Sequence, residues 1–261
     1  MAWAPEVVRG LTVWGGKTPM PFVKVKDLVW DSDLNPEGLA LKYRPDGDEF
    51  SLFLNAAFWW AEERSSADDT LMVGGQLGAD LKASDHLQLM GGASYFYWDN
   101  TKGFDPLFDQ EDGFGNTVVE VGEEGNLAYA NDYGVLELFF TLGIKAVMPI
   151  ALYGDYILNT EADTSDDTGL LVGVKVGKAK KKGTYELDYN YRDLEADATI
   201  GAFTDSDSFG GGTNGEGHKI SGKYQLTKNL TAGIAVFLNS IDPDGEDIDY
   251  TRAQFDVIAK F

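Results

Sequence analysis

The chain has 261 residues and a formal net charge of −22, with 33 aromatic residues, 31 glycines and no cysteine. No apolar run approaches the roughly 18 residues that a transmembrane helix requires, which excludes a helical membrane protein. The surplus of acid argues against nucleic-acid binding, because phosphate contacts need an excess of lysine and arginine. The missing cysteines exclude disulfides and thiol-ligated metals.

The opening residues MAWAPEVVRG do not resemble a secretory signal peptide. They contain neither a basic segment nor an apolar core of about 7 to 15 residues. From these residues we expect either a cytosolic chain or a mature or truncated form of a longer one.

Most of the chain alternates apolar and polar residues with a period of two, which is typical of β-strands. The predicted fold class is therefore all-β, in a single domain over residues 1–261. Several segments are near the nine to eleven or so residues that cross a bilayer when tilted. We count about twelve strands, at residues 11–15, 39–43, 52–60, 71–81, 87–97, 136–146, 152–158, 170–176, 185–191, 220–226, 232–238 and 251–261.

The second face of these strands is polar. A soluble sandwich would turn this face to the surrounding water, whereas a membrane barrel would enclose it and present the apolar face to lipid. Periodicity alone leaves both open. If the chain is a barrel, the charged residues expected to line its lumen are Asp80, Lys82, Glu137, Lys145, Asp155, Lys175, Glu186, Asp188, Arg192, Lys219, Lys223, Arg252 and Asp256.

The connections favour the barrel, because short and long ones alternate along the chain. Such alternation predicts a transmembrane antiparallel up-and-down β-barrel with tight periplasmic turns and long outer loops. The short turns fall at residues 45–48, 83–86, 148–149, 180–183 and 227–229. The long connections are 17–35, 62–70, 99–132, 159–168, 193–217 and 240–249.

Charge is distributed unevenly between these two sets of connections. The five long loops from residue 62 onward hold 28 of the 43 acidic residues, and their only basic residues are Arg64 and Lys102. One rim of the barrel is therefore expected to be strongly acidic. The opposite end carries Lys180, Lys181 and Lys182.

The last strand, TRAQFDVIAKF, alternates apolar residues and ends on Phe261. This ending resembles the signal by which the barrel-assembly machinery recognises outer-membrane proteins. We also expect the strand to close the sheet against the first one, since open sheet edges are not tolerated in lipid.

Residues 15–38, GGKTPMPFVKVKDLVWDSDLNPEG, resemble a segment of the bacterial putative porin family. Members of that family carry a Gly-Lys, a Pro-Phe and a W-D-x-D-L-x-P-E-G run, which correspond to residues 16–17, 21–22 and 30–38 here. The resemblance implies an outer-membrane porin. In the family, this segment follows a signal peptide and several strands, so it implies a fragment or trimmed chain whose complete relative has about sixteen strands.

The same segment is the least strand-like of the long connections, because its prolines interrupt backbone pairing. We expect it to fold inward and narrow the pore, presenting both signs of charge to passing solutes. The alternative is an outer loop that packs on the rim. The charged residues of this expected constriction are Lys17, Lys24, Lys26, Asp31 and Asp33.

The sequence contains few residues of the types that catalyse reactions or bind metals. Its two histidines, His86 and His218, lie in a turn and a loop, and we expect no enzyme, cofactor or metal site. Acidic clusters at residues 163–167 and 242–247 could hold Ca²⁺, but neither has EF-hand spacing, which favours solvated loops.

The expected function is passive diffusion of water, ions and small hydrophilic solutes across the bacterial outer membrane. The inward charges are nearly balanced, so the acidic loops should give only a mild cation preference. Expected partners are outer-membrane lipid and lipopolysaccharide, and association as homotrimers is left open. Three alternatives remain: a non-conducting structural or adhesive barrel, an outer-membrane phospholipase and a soluble β-protein.

Overall fold

A computed structural model of the chain describes residues 1–5, 7–65, 67–122, 125–241, 246 and 248–260. Within them, thirteen strands form one antiparallel sheet, and two further strands, β7 and β8, pair as a separate hairpin. The strands are β1 (Ala2–Trp3), β2 (Leu11–Lys17), β3 (Glu37–Tyr43), β4 (Phe50–Glu62), β5 (Thr70–Lys82), β6 (Leu87–Trp98), β7 (Val118–Val121), β8 (Asn126–Tyr129), β9 (Tyr133–Ile144), β10 (Ile150–Asn159), β11 (Thr168–Gly177), β12 (Tyr185–Leu194), β13 (Gly215–Gln225), β14 (Leu230–Ile241) and β15 (Ile248–Ala259).

Each strand of the large sheet pairs with its neighbour in sequence, except that β6 pairs with β9 across the β7–β8 hairpin. All twelve predicted strands are present. The two-residue strand β1 and the hairpin inside the connection 99–132 were not predicted. The connections alternate in length as expected, with long ones at the opposite end of the sheet from short ones.

The apolar rows face outward. Leu77 and Val73 on β5 are 57% and 51% exposed, whereas their polar neighbour Gln76 is only 3% exposed. The same inversion occurs on β4, where Leu54 is exposed and Asn55 is buried. A soluble protein arranges these residues in the opposite way, so the pattern is typical of a barrel that faces lipid with its outer wall.

The sheet wraps around residues 18–36, here called the inward segment. The side chain of Gln76 on β5 hydrogen-bonds Val23 of this segment, and the side chain of Arg192 on β12 pairs with Asp27. These two strands are separated by four others in the sheet order, so only a strongly curled sheet brings both to the same short segment.

The expected closure between the last strand and the first is not present among the described residues, since β1 and β15 are the unpaired ends of the sheet order. At two residues, β1 offers few backbone groups for such a pairing. Phe261 and most of the acidic cluster 242–247 lie outside the described residues. None of the helices in the described part of the chain has the length and apolarity needed to cross a bilayer.

Candidate functional site

The inward segment docks on the inner wall through Gln76. The Gln76 amide donates to the carbonyl of Val23 at 2.9 Å and accepts from the Val23 N–H at 2.7 Å. Gly74 lies beside this contact, and a Cβ added there would come within 2.7 Å of the Phe22 ring. The absence of a side chain at Gly74 therefore lets the segment approach the wall closely.

Next to this contact, six aromatic rings pack together in the half of the barrel nearer the long loops. Two of them, Phe22 and Trp30, come from the inward segment. The ring of Trp30 lies 5.0 Å from that of Phe96 and 5.4 Å from that of Trp59. The aromatic cluster consists of Phe22, Trp30, Trp59, Phe96, Trp98 and Phe203, each at most 6% exposed.

The inward segment reaches the opposite wall through a ring of four charges, here called the four-charge ring. Arg192 on β12 contacts Asp27 at 2.8 Å and Asp205 at 3.3 Å. Lys219 on β13 contacts the same two carboxylates at 3.7 and 3.3 Å. Because Asp205 belongs to the connection between β12 and β13, the ring joins the inward segment, the wall and an outer loop.

A second ion pair lies beside the four-charge ring. Lys26 contacts Asp188 at 2.7 Å, and its ammonium group lies 4.9 Å from the centre of the Tyr153 ring. The Tyr153 hydroxyl donates to the other oxygen of Asp188 at 2.6 Å. Both signs of charge therefore lie inside the barrel, close to the inner wall at β12 and β13.

The surroundings of the inward segment shift its acid–base properties. Burial lowers the pKa of Lys24, although Asp27 and Asp31 act in the opposite direction. Burial alone would raise the pKa of Asp27, but attraction to Arg192 and Lys219 outweighs it and holds that pKa below its ordinary value. At neutral pH, Asp27 is therefore ionised within the four-charge ring.

A ladder of polar side chains crosses the inner wall from the docked segment. Asn55 donates to Gln76 at 2.8 Å, Gln76 donates to Ser94 at 3.0 Å, and Ser94 donates to Glu137. Asp155, 3% exposed, lies diagonally across from Glu137 on β10. Among the described residues, Asp155 has no hydrogen bond or ion pair.

The half of the lumen near the short turns carries exposed basic side chains. Lys82, Lys145 and Lys223 are exposed there, and Lys82 pairs with Asp85 of the adjacent turn. Lys175, Glu186 and Lys145 line a cavity of about 230 Å³ at this mouth. Asp80 pairs with Arg44, and Asp256 is exposed on β15.

The long loops interlock over the other end. The Asn116 side-chain amide donates to the carbonyls of Ala196 and Thr199, both at 2.7 Å, and accepts from the Gly201 N–H. Asp197 accepts from the Tyr133 hydroxyl and from the Asn131 amide, each at 2.9 Å. The connections 99–132 and 195–214 therefore form one cap over the aromatic cluster.

Two further contacts belong to this cap. Arg252 of β15 contacts Asp207 at 2.9 Å, and the Tyr129 hydroxyl accepts from the Leu107 N–H. Burial raises the pKa of Tyr129 to about 12.

The expected constriction residues take different positions. Lys24 donates to the carbonyl of Asp31, while the Asp31 carboxylate accepts from the Ser206 N–H and Asp33 is exposed. Lys17 lies outside the inward segment, because it is paired as the last residue of β2.

Sequence reasoning did not identify Asp27 and Asp205 as members of an ion network, nor Asn116 and Asp197 as loop anchors. In the sequence, each of these residues is an acidic or amide residue in a connection between strands, and many solvent-exposed loop residues have the same character. Within the described ranges, no three histidine or acidic side chains are arranged to hold a metal.

The chain is similar to a known protein family and to a solved structure. The sequence profile of the family described as Putative porin matches residues 2–123 and 126–261. No curated protein matches. Among solved structures, the fold is similar to Wzi of Escherichia coli, an outer-membrane protein involved in group 1 capsule assembly and described as a carbohydrate-binding β-barrel.

The likeness to Wzi has a TM-score of 0.54 at 12% identity, and it covers 96% of this chain but 66% of that one. It supports the barrel fold. Together with the match over nearly all of the sequence, it leads to one conclusion: the chain belongs to the bacterial putative porin family and is an all-β protein of the outer membrane.

Proposed function

We propose that the chain forms a passive diffusion channel for water, ions and small hydrophilic solutes. The observation that best supports this is the solvent exposure of inward-facing charges in the half nearer the short turns, where Lys82, Lys145 and Lys223 are exposed. The rings of this half pack along the wall: that of Phe139 lies over Gly92 on the neighbouring strand, and those of Phe53 and Tyr153 lie over Gly78 and Gly173.

The charges of the wall support weak selectivity. Asp188, Arg192 and Lys219 face the lumen from neighbouring positions of β12 and β13, and the inward segment adds Lys26 and Asp27. Because both signs are present and paired with each other, neither cations nor anions gain a strong advantage in this part of the lumen. We propose that solutes pass beside the four-charge ring, along β13 to β15, where the side chains of Lys219 and Arg252 remain 21% and 38% exposed.

The cation preference would arise at the outer mouth. The acidic loops concentrate cations there, and salt weakens the effect over a Debye length of about 8 Å. We therefore expect the mild cation preference to decrease as ionic strength rises.

Recordings across a planar bilayer test this proposal. The wild-type protein is expected to open conductance steps, and a KCl gradient should give a reversal potential of the sign for cations. Replacing the exposed Asp109 and Glu111 with Asn and Gln should reduce that potential. The matched control, Asp46→Asn with Asp48→Asn in the turn at the opposite rim, should change it less. Anion selectivity of the wild type would refute the proposal.

A second candidate is a non-conducting structural or adhesive barrel. The buried aromatic cluster supports it, because Trp30, Phe96 and Trp98 are at most 2% exposed and the loop cap lies over them. The carbohydrate binding described for Wzi is compatible with such a barrel acting through its long loops.

Deletion of residues 20–34 separates the two candidates. A wild type that never opens steps, combined with a folded deletion variant that does, would identify the inward segment as a plug. If the wild type already conducts, the deletion should only raise its conductance.

A further inference from the structure

One sector of the outer wall departs from the apolar pattern. Elsewhere, outward residues near the long loops include apolar and aromatic ones such as Val73, Tyr97 and Leu170. At the same end of β12 to β15, the outward positions are mainly polar or ionisable, and they include Tyr191, Glu216, His218, Ser240, Asp249 and Thr251.

This sector encloses a cleft of about 390 Å³, which is within the size range of small-molecule sites. Its lining combines ring faces with oxygen and nitrogen atoms. The lining residues include no lysine or arginine in the part of the chain that the structure describes. The residues used below are Tyr191, Glu216, His218, Asn239 and Asp249.

Neighbouring contacts hold the rings of the cleft in place. The His218 ring stacks on Tyr189 with a centroid separation of 5.9 Å and an angle of 17°, and it lies 5.3 Å from the Tyr191 ring. The Tyr189 hydroxyl is 3.0 Å from Nδ1 of His218. The Tyr191 hydroxyl donates to Glu216 at 2.6 Å. A ligand would therefore meet surfaces that are already oriented.

The backbone also fixes this arrangement. Gly217 has a φ of 152°, and a Cβ added there would come within 2.5 Å of Asn239. A residue with a side chain would push β13 away from β14 at the floor of the cleft. Glycine at this position therefore preserves the shape of the lining.

The chemistry of the lining fits a sugar ring. The apolar C–H face of a sugar packs on aromatic rings, and its hydroxyl groups donate to carboxylates such as Glu216 and Asp249. A phosphate group fits poorly, because these carboxylates repel it and the described lining residues include no cationic lysine or arginine.

The position of the cleft decides which sugars reach it. It faces away from the lumen at the end of the long loops, which in outer-membrane barrels is the extracellular end. There the surrounding lipid is lipopolysaccharide. We propose that this cleft binds a neutral sugar residue of lipopolysaccharide in the outer leaflet. This goes beyond diffusion through the lumen and holds whether or not the barrel conducts.

The test measures how much purified lipopolysaccharide remains on the full chain after detergent washing. We expect wild type to retain it and Tyr191→Ala to retain about three- to tenfold less, as expected for loss of one stacking surface. The matched control Tyr97→Ala removes an outward tyrosine from the same end of β6 and should retain as much as wild type. Heat-modifiable gel mobility establishes that each variant is folded.

Several results would overturn the proposal. Equal retention by Tyr191→Ala and Tyr97→Ala would do so, as would complete loss of binding when the lipopolysaccharide is dephosphorylated. Binding of the free oligosaccharide without binding of lipopolysaccharide would exclude the lipid as the source. If Tyr191→Ala does not fold, Glu216→Gln decides in the same assay, with lowered retention expected and unchanged retention overturning the proposal.

Discussion

Gln76 and Val23 form a reciprocal pair of hydrogen bonds, in which one side-chain amide both donates to and accepts from the backbone of a single residue. A neighbouring β-strand would pair with the N–H and carbonyl of Val23 through its backbone, but here the side-chain amide of Gln76 makes both hydrogen bonds. Residues 18–36 are therefore fixed to the wall on one side by an amide and on the other by charges.

Replacing Gln76 with Leu should loosen the inward segment. Two backbone groups of Val23 and the amide of Asn55 would lose their partner, at a cost of about 1–3 kcal/mol for each buried group left unsatisfied. Limited proteolysis within residues 18–36 and thermal unfolding measure the effect. The control is Gln88→Leu, on the exposed inner face of β6. Equal behaviour of the two variants would show that Gln76 does not hold the segment.

Replacing Arg192 with Met should be among the most destabilising changes on the inner wall. Asp27 and Asp205 would keep their charges in a largely buried place with Lys219 as their remaining partner in the ring, and breaking a buried pair costs about 3–5 kcal/mol. Denaturant titration in lipid vesicles measures the loss.

Arg252→Met is the control for this change, since it removes an exposed ion pair with Asp207 and should have little effect. A double-mutant cycle with Asp27→Asn should show that the two positions are coupled. Additive effects would contradict a connected four-charge ring.

Acid should release the inward segment only at low pH. The folded pKa of Asp27 lies below its ordinary value of 3.8, so its stabilising contribution is present above about pH 4 and is lost as pH falls through the folded pKa. Protease resistance of residues 18–36 should therefore be constant from neutral pH down to about pH 4 and decrease below it. A transition between pH 5 and 7 would be incompatible with control by Asp27, and Asp27→Asn should weaken the acid transition.

Asp155→Asn is expected to stabilise the barrel or leave it unchanged. The buried Asp155 carboxyl has no partner among the described residues and lies near Glu137, so replacing it with a neutral amide removes a repulsive arrangement. The expected gain in the free energy of unfolding is at most about 1 kcal/mol, because the buried amide also has polar atoms to satisfy. Asp256→Asn, at an exposed site on β15, should have no effect. A marked loss of stability in Asp155→Asn would mean that the carboxylate itself is required.

Leu77→Arg tests which side of the wall meets lipid. Leu77 lies outward in the middle of β5, where an arginine facing hydrocarbon costs about 2–4 kcal/mol. Gln88→Arg, on the inner face, should be tolerated. Folding efficiency into vesicles measures both. Equal tolerance of the two arginines would contradict the assigned orientation.

The strand pattern was predictable because it depends on local periodicity. The alternation of Leu52, Leu54 and Phe58 with Phe53, Asn55 and Ala57 is visible in the sequence, and the lengths of the connections decided which face meets lipid. The hairpin β7–β8 was missed because it lies within a long acidic connection, where its two four-residue strands give too short a pattern.

The arrangement inside the lumen was less predictable, because it depends on contacts between residues far apart in sequence. Trp59, Trp98 and Tyr153 face inward and are buried by contacts with residues distant in sequence, which no local pattern indicates. Arg192 and Lys219 were expected on the inner face, yet nothing local identified Asp205 as their shared partner. That the predicted pore-lining residues line a path for ions stays a prediction.

The four-charge ring also bears on the order of assembly. Arg192 and Lys219 follow Asp27 by 165 and 192 positions, so the Asp27 carboxylate gains these two partners only once β12 and β13 exist. Contacts of such long range form late, because closing the intervening loop costs entropy. The interior of this barrel should therefore acquire its final arrangement only after β12 and β13 have joined the sheet.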